Sequence, residues 1–324
     1  MARRALITGI AGQDGTYLTE LLLSHDYDVY GIIGPYAGSF HEWAEPYGDR
    51  IRTVDADLTH MESLLAAVEA SDPDEIYNFS AVSSVGESWS DALAMTEVNA
   101  VGVLRMLEAI RRVKPEVRFF QASSAEMFGN APEMPQRETT PLHPISPYAA
   151  AKTYGYHIVN SYRDSYGMHA SNGILFNHES PRRGLQFVTR KITDGAVRIK
   201  LGLATDLHLG NLDARRDWGF AGDYVRAMWL MLQQERADDY VVGTGQTHSV
   251  QELCEVAFSY VGLNWRDHVV QDARFVRPAE VDLLVADPGK ANQVLQWQPR
   301  VAFEELVHLM VDSDLALVRQ EQRG

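Results

Sequence analysis

Across the first half of the chain, short runs rich in β-branched, aliphatic and aromatic residues alternate with stretches whose apolar positions recur three and four apart. The short runs Ala5–Ile10, Asp28–Ile33, Ile51–Asp55, Glu75–Ser80, Val117–Ser123 and His169–Phe176 read as strands. The periodic stretches Tyr17–Leu23, Met61–Glu69, Ala92–Val113 and Ala149–Tyr166 read as amphipathic helices. Near-continuous apolar strands separated by helices predict a parallel sheet covered on both faces. Right-handed crossovers make that sheet doubly wound, an α/β fold. Past residue 177 the rhythm breaks: Arg182, Arg183, Arg190, Lys191, Arg198 and Lys200 cluster, and loops rich in Gly and Asp follow. Residues 1–177 are therefore expected to form the sheet domain and 178–324 mainly a smaller lobe, with some chain returning to the first domain. Without repeats or a low-complexity linker the two should pack closely, and a ligand would sit between them beyond the carboxyl ends of the strands.

Composition narrows the function classes. The 324 residues carry 29 Lys plus Arg against 44 Asp plus Glu, a formal net charge of −15. So acidic a surface disfavours general binding to nucleic acid or to anionic membranes, though one local basic cluster suffices for an anionic small molecule. The single cysteine, Cys254, excludes an intrachain disulfide framework and a multi-cysteine zinc site, and fits a reducing compartment. No metal site is expected. No run approaches 18 apolar residues, and the first strand follows Met-Ala-Arg-Arg directly, so a cytoplasmic protein is expected.

The first strand runs into Thr8-Gly9-Ile10-Ala11-Gly12-Gln13-Asp14-Gly15, a G-x-x-G-x-x-G loop that opens a helix. Glycines let the backbone turn sharply and approach a pyrophosphate, while the helix N-terminus offers amide donors and positive potential. Three glycines can also simply make a tight loop; the strand-loop-helix context is what favours a dinucleotide. Asp57, after the third strand, could hold an adenine edge or be a solvated turn acid, and Ser80-Ala81 ends the fourth strand beside the phosphates. The end of the second strand, Gly31-Ile32-Ile33-Gly34-Pro35-Tyr36, has neither the acid that binds a ribose 2′-hydroxyl nor an arginine for a 2′-phosphate, which leaves NAD against NADP open.

Tyr148 and Lys152 form a Y-x-x-x-K pair within Ser146-Pro147-Tyr148-Ala149-Ala150-Ala151-Lys152. On a helix the two share a face. An adjacent ammonium and a positive cofactor ring should lower the phenol's pKa, so that it takes or returns a hydroxyl proton. Ser124, at the end of the fifth strand, can donate to the oxygen of a carbonyl being formed or reduced. Glu126 is the informative residue: hydride transfer and epimerisation need no carboxylate there, whereas removing a carbon-bound proton next to a new ketone does.

With these residues in view, the chain resembles the extended short-chain dehydrogenase/reductases, and within them the GDP-mannose 4,6-dehydratases, over nearly its whole length. The most specific stretches are Gly9–Gly15, Gln121–Gly129, Ser146–Lys152, Leu175–Gly184 (LFNHESPRRG), Leu209–Gly219 (LGNLDARRDWG) and Arg277–Leu284. The resemblance implies a Rossmann-like domain with a smaller α/β substrate-binding lobe. It implies a redox cycle in which Ser124, Glu126, Tyr148 and Lys152 are catalytic and a GDP-hexose, GDP-mannose first, becomes its 4-keto-6-deoxy derivative. It assigns Gly9, Ile10, Gly12, Gln13, Asp14, Gly15, Asp57, Leu58, Ser80, Ala81, Ser83, Tyr148, Lys152, His178 and Arg183 to cofactor contacts. Asn177, Val188, Lys191, Arg216, Arg277 and Glu280 fall to the GDP-sugar. The family's basic, serine-rich segment after the second strand holds the NADP 2′-phosphate and helps pair subunits; here Gly34-Pro35-Tyr36-Ala37-Gly38 replaces it. NADP remains the expected cofactor with NAD as alternative, and a homodimer is expected over the family's tetramer. Ser124 stands where the family has threonine, Val82-Ser83-Ser84 where it has Gln-Ser-His, and Phe128 where it has tyrosine. Two alternatives stand beside this reading: a nucleotide-sugar 4-epimerase or 4-ketoreductase, and a non-enzymatic dinucleotide sensor or assembly subunit.

Overall fold

In the computed structural model, residues 2–33, 43–83, 87–275, 281 and 283–323 are described. The segment Gly34–Gly38, Ser84, Arg277 and Glu280 lie outside the described residues. Each of the six expected strands is present: β1 (Arg4–Thr8), β2 (Asp28–Ile32), β3 (Ile51–Val54), β4 (Glu75–Asn78), β5 (Arg118–Ser124) and β6 (Ala170–Leu175). Ile10 and Ser80, expected inside strands, fall in turns. Gly9 bends the chain with φ +69°, and the amides of Phe79 and Ser80 donate to the Thr8 hydroxyl at 3.1 and 3.0 Å, that of Phe79 also reaching the Thr8 carbonyl at 3.3 Å.

The helices between them are α1 (Gln13–Ser24), α2 (Met61–Ser71), α3 (Ala92–Thr96), α4 (Gly102–Val113) and α5 (Pro147–Tyr166). The long helix expected over Ala92–Val113 is broken by a π-helical turn, Glu97–Val101. That extra residue in the spiral carries Asn99, whose amide side chain holds both the N–H and the C=O of Val82 at 2.9 Å. Periodicity in the sequence does not register such a bulge, because the apolar face continues on both sides of it.

Beyond β6 come β7 (Asn177–Glu179), α6 (Val188–Lys200), β8 (Leu207–Leu209), β9 (Arg215–Arg216), β10 (Trp218–Phe220) and α7 (Ala221–Gln233). They are followed by β11 (Tyr240–Val242), β12 (His248–Ser249), α8 (Val250–Tyr260), β13 (Val269–Gln271), β14 (Leu283–Leu284), α9 (Gly289–Val294) and α10 (Phe303–Glu321). The main sheet is parallel, in the order β11-β6-β5-β4-β1-β2-β3. The reversal of direction on either side of β1 and β4 creates the crevice in which doubly wound folds bind ligands.

One face of the sheet packs under α1 and α7 through Leu18, Leu22, Met228, Met231 and Trp297. The other packs under α2, α4 and α5 through Leu64, Met106, Leu107, Ile110 and Val159. The chain thus returns to the first domain after residue 178, supplying α7, β11 and Trp297. A separate core built by α6, α8 and α10, with Ile192, Leu253, Phe258, Val307 and Val311 at its centre, supports the second lobe. No helix among the described residues is long and apolar enough to cross a membrane.

Candidate active site

The glycine loop does at close quarters what its sequence requires. Gly9 takes a left-handed φ of +69°, and Gly12 N donates to its carbonyl at 3.0 Å. A Cβ at Gly15 would lie 2.5 Å from Gly9 O and from Ile10 Cα, so only hydrogen lets α1 seat itself against the turn. Gly12 caps α1 without any side-chain hydrogen bond, leaving the helix terminus to an exogenous acceptor. These features fit a pyrophosphate, and the loop passes the test that a dinucleotide sets. Ile10 is fully buried against Gly31, so its contribution there is backbone. Leu58 is likewise buried, in the core beneath α2 and α4. Asp57 is half-exposed, and one of its oxygens accepts from both Thr59 N and Thr59 Oγ1 at 2.8 Å, the turn-acid arrangement.

Gln13 and Asp14 join the loop to the second lobe. Gln13 Nε2 donates to His178 O at 3.0 Å, and Ser180 Oγ donates to Gln13 Oε1 at 2.7 Å. Asp14 Oδ2 meets His178 Nε2 at 2.9 Å, while the other ring nitrogen meets Phe176 O at 2.8 Å. Both partners are acceptors, so both ring nitrogens must carry hydrogen, and the ring is an imidazolium. Burial alone would raise the Asp14 carboxyl and lower His178; their mutual attraction outweighs it, holding Asp14 below and His178 above their ordinary values.

A cleft of about 820 Å3 lies between the lobes. Ser124, Glu126, Tyr148 and Lys152 all line it, as do Asp14, Ala81, Ser83, His178 and Arg183. Ser146 caps α5 by accepting from Ala149 N at 3.1 Å, and Pro147 occupies its first turn, so Tyr148 and Lys152 fall one helical turn apart at the cleft floor. Lys152 Nζ donates to Ala122 O at 2.9 Å and stands 5.8 Å from the Tyr148 ring centre. β5 ends at Ser124, whose Oγ accepts from Glu126 N at 3.2 Å and caps a short 3-10 turn, Ala125–Phe128. The turn directs partly buried Glu126 into the cleft, toward Tyr148.

Burial pushes the Tyr148 phenol up to about 12; hydrogen bonding to Ser124 and the charge of Arg183 pull it down, and the Glu126 carboxylate pushes it further up. The Lys152 ammonium is pushed down to about 8 by burial, with Asp14 opposing. Burial thus keeps the Tyr148 phenol above its ordinary value despite the lowering by Ser124 and Arg183.

On the side of the second lobe, Asn177, Val188, Lys191 and Arg216 line the same cleft. Lys191 Nζ donates to His208 O at 2.6 Å, and Arg216 is buried with Nη1 donating to Arg215 O at 2.8 Å. Sequence reasoning missed Phe187, Arg274 and Phe275, which also line it. The Arg183 guanidinium sits 3.5 Å from the centre of the Phe187 ring, and the Lys191 ammonium 3.6 Å from that of Phe275. Cation–aromatic pairs formed across twenty or more residues have no sequence signature, though Phe187 at four residues from Arg183 was within reach. Asn99 was also missed, for want of any sign of the π turn. Among the described residues no cluster of His, Cys, Asp and Glu could hold a metal ion.

Residues 6–310 match the family model for GDP-mannose 4,6 dehydratase. GDP-mannose 4,6 dehydratase 2 of Arabidopsis thaliana is 52% identical over 98% of this chain and 88% of its own length. The chain belongs to the GDP-mannose 4,6-dehydratase family. The human enzyme of that name is 45% identical over 97% of this chain and 92% of its own. Beyond the dehydratases, the Thermus thermophilus UDP-glucose 4-epimerase, solved in complex with NAD, superposes with a TM-score of 0.83. It is 28% identical, and the alignment covers 96% of this chain and 98% of that one. The epimerase neighbour shares the fold, so what separates its chemistry from that of the dehydratases must be sought in the cleft.

Proposed function

We propose that the protein is a lyase that converts GDP-mannose into its GDP-linked 4-keto-6-deoxy derivative and water, leaving its dinucleotide in the oxidation state in which it began. The observation that carries this reading is Glu126, a carboxylate in the same cleft as Ser124, Tyr148 and Lys152, where a 4-epimerase or 4-ketoreductase needs none. When bound, the oxidised dinucleotide supplies a reversible hydride acceptor and the positive ring that lowers the buried phenol. The glycine loop and the α1 terminus would hold its pyrophosphate, with Arg183 and His178 beside them.

This chain's own residues handle the protons. Tyr148 Oη, lowered by the added charge, takes the proton of the sugar 4-hydroxyl, and Ser124 Oγ donates to the oxygen as it becomes a carbonyl. That ketone acidifies C5–H, and a Glu126 oxygen takes this proton as the C5–C6 double bond forms. Glu126 then protonates the departing 6-hydroxyl, which leaves as water. C5 is reprotonated from solvent-exchanged groups and Tyr148 releases the proton it took, while a bound dinucleotide would supply the hydride that C6 gains. Lys191, Arg216 and Asn177 bind the nucleotide diphosphate, for which cations and a fork-shaped guanidinium suit the phosphate oxygens. NADP is the proposed dinucleotide on the family resemblance, with NAD as the alternative because Gly31-Ile32-Ile33-Gly34 carries neither an acid nor an arginine, and a homodimer is the proposed assembly.

Turnover of GDP-mannose in D2O tests the reaction. Deuterium is expected at C5 of a 4-keto-6-deoxy product, without net reduction of added NADP+. Glu126→Gln is expected to lower kcat by roughly 10²–10⁴ while leaving NADP+ binding unchanged. Full activity in that variant, with no label at C5, would transfer the protein to the epimerase and ketoreductase class.

A further inference from the structure

The turn between β7 and α6 carries Arg182 and Arg183, which part in opposite directions. Arg182 pairs with Glu20 at 2.6 Å and lies 4.0 Å from the centre of the Tyr17 ring, on α1. Arg183 faces the cleft, with Nε 3.2 Å from Glu179 Oε2. What fixes the turn lies beneath it. Arg190, in the first turn of α6 and 6% exposed, uses Nη1 to donate to the carbonyl of Pro181 and, at 3.0 Å, to that of Arg183. Its Nη2 donates to Asp314 Oδ1 at 2.5 Å, and Thr193 Oγ1 donates to Asp314 Oδ2 at 2.6 Å. Asp314 is 1% exposed and belongs to α10, the last helix.

Stability is a poor reason for this pair, since a buried ion pair adds little over well-packed apolar residues of similar volume. Geometry is a better one. A guanidinium is a rigid plane of five donors. With one edge fixed on a carboxylate, the rest is presented at a set angle to two carbonyls of the turn. We infer that the Arg190–Asp314 pair is a positioning device that sets the 181–183 turn, and through it the Arg183 guanidinium, for the dinucleotide. This rests on the reading above that Arg183 contacts the cofactor. It gives the C-terminal helix, remote from the sheet's crevice in sequence, a part in cofactor retention.

The test is a double variant, Arg190→Met with Asp314→Leu, which removes both charges at nearly constant volume. The parent, this variant and Arg183→Met are titrated calorimetrically with NADP+ and NAD+ in parallel, and kcat is measured with GDP-mannose at saturating dinucleotide. The double variant is expected to keep the parent's melting temperature within a few degrees. Its Kd for the preferred dinucleotide should weaken about tenfold. Its activity should become dependent on added dinucleotide and recover near-parental kcat at saturation. Adding Arg183→Met to it should cost nothing further, because the pair acts through that side chain. An unchanged Kd in the folded double variant, with Arg183→Met weakened, overturns the inference alone. An unchanged Kd in Arg183→Met overturns the cofactor role of Arg183 and the inference with it. Should the double variant not fold, Arg190→Lys keeps a charge against Asp314 but cannot span both carbonyls; the same weakening is expected, and its absence refutes the inference.

Discussion

Replacing Gly129 with alanine tests whether the turn that carries Glu126 is set as tightly as the chemistry demands. Gly129 closes that turn, its N–H donating to Glu126 O at 3.2 Å. It does so at φ 51° and ψ −131°, a conformation essentially reserved for glycine. The 140s loop clamps the same place: His143 N donates to Met127 O at 3.0 Å. A Cβ on residue 129 would overlap the His143 carbonyl oxygen and lie 3.0 Å from its carbon. Since non-bonded carbons rest at roughly 3.5–4.0 Å, turn and loop must part by an amount of order 1 Å. Backbone strain alone costs roughly 1–3 kcal/mol. A displacement of about 1 Å in a proton-transferring group is enough for a loss near 100-fold. Gly129→Ala is therefore expected to lower kcat for GDP-mannose about 100-fold and to slow deuterium incorporation at C5. Its melting temperature should fall by several degrees, and NADP+ binding, governed by the glycine loop across the cleft, should stay within about twofold. A variant with parental kcat and melting temperature would refute the reasoning, because the turn would then be shown to yield at no cost.

Lys152→Met should raise stability at pH 7, because the folded protein keeps this ammonium only against burial. With the folded value at about 8 and the ordinary one at 10.5, the parent carries a penalty of about 3 kcal/mol below pH 8, relieved as pH rises toward 10.5. Urea unfolding of both proteins at pH 7 and pH 10 should show the variant's advantage shrinking, and an advantage independent of pH would exclude this origin. Asp14→Asn addresses the buried pair with His178. The histidine is raised above 6.5, so its share of stability is complete below that value and lost as pH climbs through the raised one. The aspartate is held below 3.8, so its share is complete above that value and lost as pH falls through the lowered one. Parent stability relative to Asp14→Asn should thus be greatest between about pH 4 and 6.5 and should fall above it, read from urea midpoints at pH 6 and pH 9; a flat difference would mean that His178 is neutral throughout.

The strands and their parallel pairing were legible because most carry short apolar or β-branched runs separated by helix-like stretches, although β3 (Ile-Arg-Thr-Val) and β6 (Ala-Ser-Asn-Gly-Ile-Leu) are interrupted by polar residues. The i to i+4 spacing of Tyr148 and Lys152 likewise survives folding unchanged, since Ser146 and Pro147 announce the helix start. What the sequence concealed has a common cause. The π turn at Asn99, the identity of α7 and β11 as the elements that return to the first domain, and the Lys191–Phe275 cation–aromatic pair all depend on contacts between segments far apart in the chain. The burial of the phenol is hidden for the same reason. Spacing gives proximity to Lys152, but burial, which no spacing reveals, raises the tyrosine and lowers the lysine together.

That shared burial bears on how the cleft binds a diphosphate in a protein of net charge −15. Its cations are already engaged: Arg183 with Glu179, Lys191 with the His208 carbonyl, Arg216 with the Arg215 carbonyl, and Arg274 with Asp272 at 2.6 Å. A guanidinium has five N–H groups and an ammonium three, so a single partner on Arg183, Lys191 or Arg274 leaves donor capacity on that side chain. Phosphate oxygens can then add to these side chains without displacing their present partners. The entropy of fixing long, flexible cations was spent in folding and is not charged again on binding. In this respect the acidic partners serve recognition. Removing Glu179 or Asp272 would make the cleft more positive, yet it would release an arginine to wander, and the loss of preorganisation opposes the gain in charge.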